Sequence, residues 1–178
     1  MTFWSNPLSE PKRQFRWIMT LGGEDSVIET YAIKTVKKPS FSVSEVPHQF
    51  VAHTFYYPGR VTWNPVEVTF VDPVVPDQSA VITNMFVDGG YSVPKDENSI
   101  TSFSKGKYVG AVGTPRIQQI DAEGATIEEW TLNNAFITEL DYGQLDYSSE
   151  ELVVLSVTLR YDYATFSTEG SPASRLTP

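Results

Sequence analysis

The sequence predicts a mainly β fold, a sandwich or small barrel. Three observations carry that expectation. Aromatic residues are abundant, with 4 Trp, 9 Tyr and 10 Phe, and together with many Val and Thr they favour pleated, half-buried surfaces. The segment Val153 to Tyr163 alternates strictly: Val153, Leu155, Val157, Leu159, Tyr161 and Tyr163 fall on one side, and Val154, Ser156, Thr158, Arg160 and Asp162 on the other. Period two with one wet face is a strand, because a helix would spread these apolar residues around its whole circumference. Helical signals are confined to two short stretches.

The elements follow in order. Phe15 to Gly22 reads as a first strand ended by Gly22-Gly23, and Val27 to Val36 as a second. Lys37 to His48 reads as a loop. Gln49 to Tyr57 is apolar on both faces, the pattern of a strand covered on both sides, and Pro58-Gly59 then turns the chain. Val66, Val68 and Phe70 alternate with Glu67, Thr69 and Val71, a strand stopped by Asp72-Pro73. Asp77 is placed to cap a helix from Gln78 to about Val87, with Ala80, Val81 and Met85 on its apolar side and Gly89 beyond its end. A second, weaker helix covers Ser102 to Val112, stopped by Gly113 and diluted by Gly106 and Gly110. Arg116 to Asp121 and Thr126 to Leu132 flank Ala122-Glu123-Gly124 and read as a hairpin. Asn134 to Tyr142 continues as strand, with Gly143 marking a bulge. The chain reads as one domain over 1–178, with an N-terminal arm at 1–12 and a turn-prone tail at 167–178.

Composition narrows the function. There is no cysteine, which excludes disulfides, thiolate metal sites and cysteine nucleophiles. No apolar run reaches the roughly 20 residues that span a bilayer, and the first residues lack a secretory apolar core, so the expectation is a soluble protein made in a cytoplasm, with no membrane partner. The net charge of −9 argues against holding nucleic acid by its phosphates. His48 and His53 are the only histidines and fit no zinc pattern. Glu128-Glu129, Asp141, Asp146 and Glu150-Glu151 would need an unproven cleft to act as a glycosidase pair and read more simply as a solvated acidic face. Neither a nucleophile elbow nor a phosphate loop is present. The expectation is no catalytic residue, no metal and no cofactor. Of the four Trp, Trp17 and Trp130 lie inside strand patterns and read as core rather than as a sugar-stacking platform.

Three blocks carry a resemblance: Trp130-Thr131-Leu132-Asn133-Asn134-Ala135-Phe136-Ile137, then Leu140-Asp141-Tyr142-Gly143-Gln144-Leu145-Asp146-Tyr147-Ser148-Ser149, then Val157-Thr158-Leu159-Arg160-Tyr161-Asp162-Tyr163-Ala164. Together they resemble the C-terminal half of contractile phage tail tube proteins. Upstream, Tyr31 to Pro39, the strand near Phe55 and Pro58-Gly59-Arg60 are similar to that family's N-terminal sheet and inner hairpin. The resemblance covers roughly residues 13–166, is most specific in its last block and is loose over 77–113.

The resemblance implies a β-sandwich or barrel with a short flanking helix, and a long hairpin that joins an inter-subunit β-barrel, an architecture similar to the type VI secretion tube. It implies homo-hexameric rings that stack into a tube inside a tail sheath, bounded by baseplate and neck proteins, in a virion tail. Four strands from each of six subunits, about 4.8 Å apart and tilted about 40°, close a wall about 48 Å across, and removing side chains leaves a bore of about 40 Å for double-stranded DNA. An acidic bore lets DNA slide without specific binding, and six copies at −9 carry about −54 per ring. Glu128 and Glu139 are the lumen-facing candidates. Lys37, Lys38, Glu150 and Glu151 are the candidates for contacts between rings, reached by the N-terminal arm and the loop Lys37 to His48. The alternatives are a tube initiator at the baseplate or a terminator at the neck, with the same fold in a single ring, and, more remotely, a carbohydrate-binding β-sandwich or a glycosidase.

Overall fold

A computed structural model describes residues 11–23, 28, 30–95 and 100–168. Two four-stranded antiparallel sheets pack face to face, and a separate two-stranded hairpin projects from them. The strands are β1 (Trp17–Thr20), β2 (Ile33–Val36), β3 (Phe41–Phe50), β4 (His53–Trp63), β5 (Val66–Val71), β6 (Arg116–Ile120), β7 (Thr126–Asn133), β8 (Phe136–Asp141), β9 (Val154–Arg160) and β10 (Tyr163–Thr168), with helices α1 (Gln78–Asp88) and α2 (Lys105–Val112) between β5 and β6. The first sheet has the order β1-β6-β7-β10 and the second β2-β5-β9-β8.

The core is what the alternation dictates. Val66, Val68 and Phe70 of β5 and Leu155, Val157 and Leu159 of β9 are buried, facing Met19, Ile117 and Leu132 of the first sheet. Truncating a ring such as Phe70 to Ala would cost about 3–5 kcal/mol, because so dense an interior closes a cavity only partly. The hairpin expected around Glu123-Gly124 is present as β6–β7. Asp77 caps α1, its side chain accepting from the Ala80 amide at 2.9 Å. The buried residues of α1 are Gln78, Ile82 and Met85, so the face is rotated from the expected Ala80-Val81-Met85 face. α2 starts at Lys105, later than expected, and stops before Gly113, whose φ of 71° suits glycine.

Several expected elements are redrawn. The expected strand from Val27 is a 3₁₀ turn, Thr30–Ala32, and only then β2; residues 24–27 and 29 lie outside the described residues. The strand expected over Val153 to Tyr163 breaks at Tyr161-Asp162, so β9 ends in the second sheet and β10 begins in the first. The β7–β8 connection makes the reverse switch at Asn134, whose φ is 55°. The two crossings are clasped together: Asn134 Nδ2 donates to Asp162 Oδ2 at 2.8 Å, and Lys105 Nζ reaches the same oxygen at 2.7 Å. That lysine first, and then Asn134, lowers the Asp162 carboxyl below its ordinary range. Gly143 lies past the end of β8 rather than in a bulge, with φ of 77° and the Val154 carbonyl so close that a Cβ would sit 2.5 Å from it.

The largest correction concerns residues 37–63. The expected loop Lys37 to His48 is mostly strand β3, and the expected strand Gln49 to Tyr57 is interrupted by the tip of a hairpin, where Val51-Ala52 joins Phe50 to His53. Pro58-Gly59 is not a turn but a bulge within β4, opposite Ser44, at the register shift between Val43 and Glu45. Ser44 Oγ accepts from the Arg60 amide at 2.8 Å, and a Cβ on residue 59 would lie 2.9 Å from the Ser44 carbonyl, so glycine is the residue that fits. β10 runs to Thr168, so the first residues assigned to the tail are strand. Residues 1–10 and 169–178 lie outside the described residues.

Candidate assembly surfaces

Cross-strand partners share a face. At the base of the β3–β4 hairpin, Phe41 pairs with Trp63 and Val43 with Val61. Trp63 turns inward, 5.2 Å from the Phe41 ring and 5.9 Å from the buried Tyr161, so this face rests on the body of the protein. The bulge then changes the pattern. Beyond it the apolar pairs lie on the opposite face: Val46 with Tyr57, His48 with Phe55, and Phe50 with His53. Every residue of β3 is exposed, and so is every residue of β4 except Trp63. Phe50 is 64% exposed and Val51 93%. The expectation of a strand covered on both sides is therefore overturned: its own chain covers Trp63 at the base and leaves the rest of the hairpin exposed. A monomer rarely exposes a continuous aromatic patch of this kind.

The second sheet presents a different surface. Its outward face carries Thr35, Thr69, Ser156 and Asp141 in one row across β2, β5, β9 and β8, and Glu67, Thr158 and Glu139 in the next. Thr35 and Thr69 share a hydroxyl–hydroxyl bond. Arg160 is the basic residue at the end of β9, opposite Phe136. The face is thus mainly small hydroxyls and carboxylates. Among the described residues, its edge strands β2 and β8 each have a partner on one side only, as do β1 and β10 of the first sheet.

The expected site residues separate into two groups. Glu139 is exposed on that outward face of β8. Glu128 is not: it is 6% exposed, on the inner side of the first sheet, opposite Gln119. Its carboxylate is ion-paired with Lys12, lies 2.6 Å from Lys38 Nζ and accepts from Trp130 Nε1 at 2.8 Å. Burial alone would raise its pKa, but hydrogen bonds from Lys12, Lys38 and Trp130 outweigh burial and hold it down at about 2. Lys38 also donates to Gln119 Oε1 at 2.7 Å. Lys38 and Glu128 are thus joined within one chain, across 90 residues of sequence, a pairing that no local pattern announces. Lys37 is exposed, with its amide bonded to the Glu67 carbonyl at 3.0 Å. Glu150 and Glu151 are exposed in the loop after β8. Earlier in that loop Asp146 accepts from the Ser148 amide at 2.9 Å and its hydroxyl at 2.7 Å, bonds that lower its pKa.

Trp17 and Trp130 pack partly buried against the core, and Trp63 does the same; Trp4 lies outside the described residues. His48 and His53 sit on the exposed tip face of the hairpin. Among the described residues no three His, Asp or Glu side chains gather as a metal site, and no helix is long and apolar enough to cross a membrane. The aromatic tip escaped the sequence reading because Val51-Ala52 carries none of the Asn-Gly or Asp-Gly signature of a two-residue hairpin turn.

No family model matches the sequence, and no curated protein matches it. Solved structures do. A chain from the 6-fold symmetrised baseplate of the anti-feeding prophage superposes with a TM-score of 0.66 at 12% identity, over 92% of this chain and 99% of that one. A chain from the sheath/tube terminator of an extracellular contractile injection system, PVC, in its extended state gives 0.65 at 17% identity, over 89% and 98%. One from the PVC sheath–tube complex gives 0.61 at 16%, over 94% and 99%. Two packed antiparallel sheets, a short helical segment and a projecting hairpin are, in this chain, a fold shared with chains of these contractile injection assemblies.

Proposed function

We propose that the protein is the structural subunit of the inner tail tube of a contractile phage tail or a related injection machine, forming hexameric rings that stack into a channel for DNA. The observation that carries this reading is the bare aromatic tip of the β3–β4 hairpin, which its own chain does not cover. Such a surface is costly unless a neighbouring copy receives it. If the receiving surface differs from the donating one, the contact is heterologous, and heterologous contacts close into rings or continue as filaments.

The second sheet supplies the wall. If the free edge of β2 pairs with β8 of the next subunit, every edge of that sheet is satisfied and six subunits give a continuous barrel. The hairpin then carries its exposed apolar tip onto the neighbouring subunit beside that barrel. The outward face, with Glu67, Glu139 and Asp141 against Arg160, becomes the lumen and repels DNA. Glu139 keeps the lumen role and Glu128 does not, because its carboxylate is buried and paired. Contacts between rings fall to Lys37 and to the loop holding Glu150 and Glu151, where opposite charges set register more than strength. Sheath, baseplate and neck proteins are the partners of such a tube, in a virion tail.

A single-ring role at the baseplate or neck is the second reading, since the baseplate and terminator complexes match this chain as well as the sheath–tube complex does. Negative-stain microscopy over a concentration series separates the two. Tubes of indefinite length are the expected result. Rings that never stack would move the protein to an end of the tube, and monomers at high concentration would remove the assembly reading altogether.

A further inference from the structure

The second sheet has two ends, and each carries its own exposed surface. Lys37 lies at one of them: its amide bonds to the Glu67 carbonyl, and Glu67 pairs with Thr158. The loop of residues 142–153 leaves the other, between Asp141 at the end of β8 and Val154 at the start of β9. The strand from Thr158 back to Val154 spans about 13 Å at about 3.3 Å per residue, so lysine and loop face opposite ways along the strands.

The loop is shaped by its own polar groups. Asp146 accepts from the Ser148 amide and hydroxyl, and the Ser149 amide donates to the Asp146 carbonyl at 3.3 Å. The Glu151 amide donates to Ser149 Oγ at 3.2 Å, and the Asp72 amide to the Val153 carbonyl at 3.1 Å. The apolar side chains are left bare: Leu145 is 81% exposed, Leu152 71%, and Tyr147 is fully exposed. They line a concavity of about 600 Å³ together with Asp146 and Glu151, a volume typical of a binding pocket. Side chains so exposed contribute little to folding a monomer, and a loop already held by hydrogen bonds loses little freedom on docking.

The Lys37 end carries a matching surface. Lys37 is exposed, Phe41 is half exposed, and Val43 and Val61 pair with each other on the same face of the hairpin base. One end therefore offers apolar side chains beside a cation. The other offers apolar side chains beside Asp146, Glu150 and Glu151.

We propose that the loop 142–153 is the socket for the next ring. It seats the Lys37 end of a second copy, with Leu145, Tyr147 and Leu152 against Phe41, Val43 and Val61, and with Glu150 and Glu151 facing Lys37. The assignment rests on the tube reading and deepens it: opposite charges set the register of a stack, and apolar burial in the socket supplies its strength. Strands tilted about 35–45° from a barrel axis put the two ends of the sheet on opposite rims of a ring. Socket and inserted end differ, so each added ring leaves one of each free, and the stack has no built-in length. The aromatic tip of the hairpin takes no part in this contact.

The test changes Leu145, Tyr147 and Leu152 together to Ser in the full chain. The melting temperature should stay within about 2 °C of the wild type, and rings should form as before. Tubes should need at least about tenfold more protein, from the loss of three side chains that the contact buries. Tubes at the wild-type concentration would overturn the proposal and leave the loop to another partner, such as a sheath. Wild-type protein that stays as single rings would overturn this contact and leave the ring standing, whereas wild-type monomers would overturn both. The chain has no cysteine, so a variant carrying Lys37→Cys and Glu151→Cys reads the contact directly. The two positions lie at opposite ends of the sheet, beyond the roughly 7 Å between Cα atoms that a disulfide spans, so they pair only between copies. Oxidised tubes should give a ladder of linked chains running past the number of subunits in one ring, and each single variant should stop at two. A ladder that ends at one ring's number would place the contact inside the ring, and intact tubes without a ladder would mean that the two ends do not meet. Either result overturns the proposal.

Discussion

Glu128 shows how one buried side chain ties distant parts of this protein together. Lys12 precedes β1, Lys38 follows β2 and Trp130 belongs to β7, and all three converge on its carboxylate. Its pKa lies near 2, below the ordinary 4.5, so its charge stabilises the fold fully above about pH 4.5. That contribution is lost as pH falls toward 2, and amounts to about 1–3 kcal/mol given lysine partners that are half exposed. Thermal melts from pH 6 to pH 2.5 should therefore fall more steeply for the wild type than for Glu128→Gln, which keeps the acceptor for Trp130. Coincident slopes would mean that the pair contributes nothing. The same geometry separates two neighbouring lysines. Lys38→Glu would remove a partner of the buried Glu128 carboxylate and set a second carboxylate against it from a half-exposed position, and should cost about 2–3 kcal/mol. Lys37→Glu, at an exposed position, should change stability by less than about 0.5 kcal/mol. Denaturant midpoints of the two variants test this directly, and equal losses would contradict the assignment of Lys38 to the fold.

At the scale of the element, the β3–β4 hairpin is where folding and assembly come apart. Its strands pair with each other, and its base rests on the core through Trp63, so the tip has little to do with the stability of a monomer. Replacing both Phe55 and Tyr57 by Ser should leave the melting temperature within about 2 °C of the wild type. It should also abolish rings and tubes in negative stain, because a desolvated aromatic anchor carries most of the energy of an interface. If tubes persist in that double variant, the tip is not the contact that closes the ring. The bulge at Gly59 is the device that makes this possible: it moves the apolar pairs of the ladder from the face that carries Trp63 to the opposite face.

For the whole molecule, the proposed tube puts the outward face of the second sheet on its channel, which a charge reversal tests. Changing Glu67, Glu139 and Asp141 together to Lys converts the outward face of the second sheet from acidic to basic without touching the core. Tubes should still form. They should now retain double-stranded DNA with an affinity that falls steeply with salt, as counterion release requires, whereas wild-type tubes should not. A gel-shift titration at two salt concentrations checks this, and unchanged DNA behaviour would place the lumen on another surface. Lys37→Glu belongs to the same scale. With stability intact, it should yield rings that stack poorly, seen as shorter tubes at equal protein concentration.

What could be read from the sequence were features written within a few residues of themselves. The alternation of β5 and β9, the β6–β7 hairpin around Glu123-Gly124, the Asp77 cap of α1 and the β class all follow from local period, turn chemistry and side-chain shape. The blocks Trp130 to Ile137 and Val157 to Ala164 carried a resemblance instead, and the fold which that resemblance implied is the one this chain has. Tertiary structure alone decided the rest. An alternating pattern says which residues share a face but not which sheet the strand joins, so the switch at Tyr161-Asp162 was invisible until Asn134 and Lys105 were seen clasping it. A stretch apolar on both sides looks covered, and only the three-dimensional arrangement shows that the tip of the hairpin has nothing beneath it. Glu128 looked like a solvated acid because its partners Lys12 and Lys38 lie far away in sequence. Local periodicity records the shape of an element, whereas burial, pairing and partnership are properties of what the folded chain brings together.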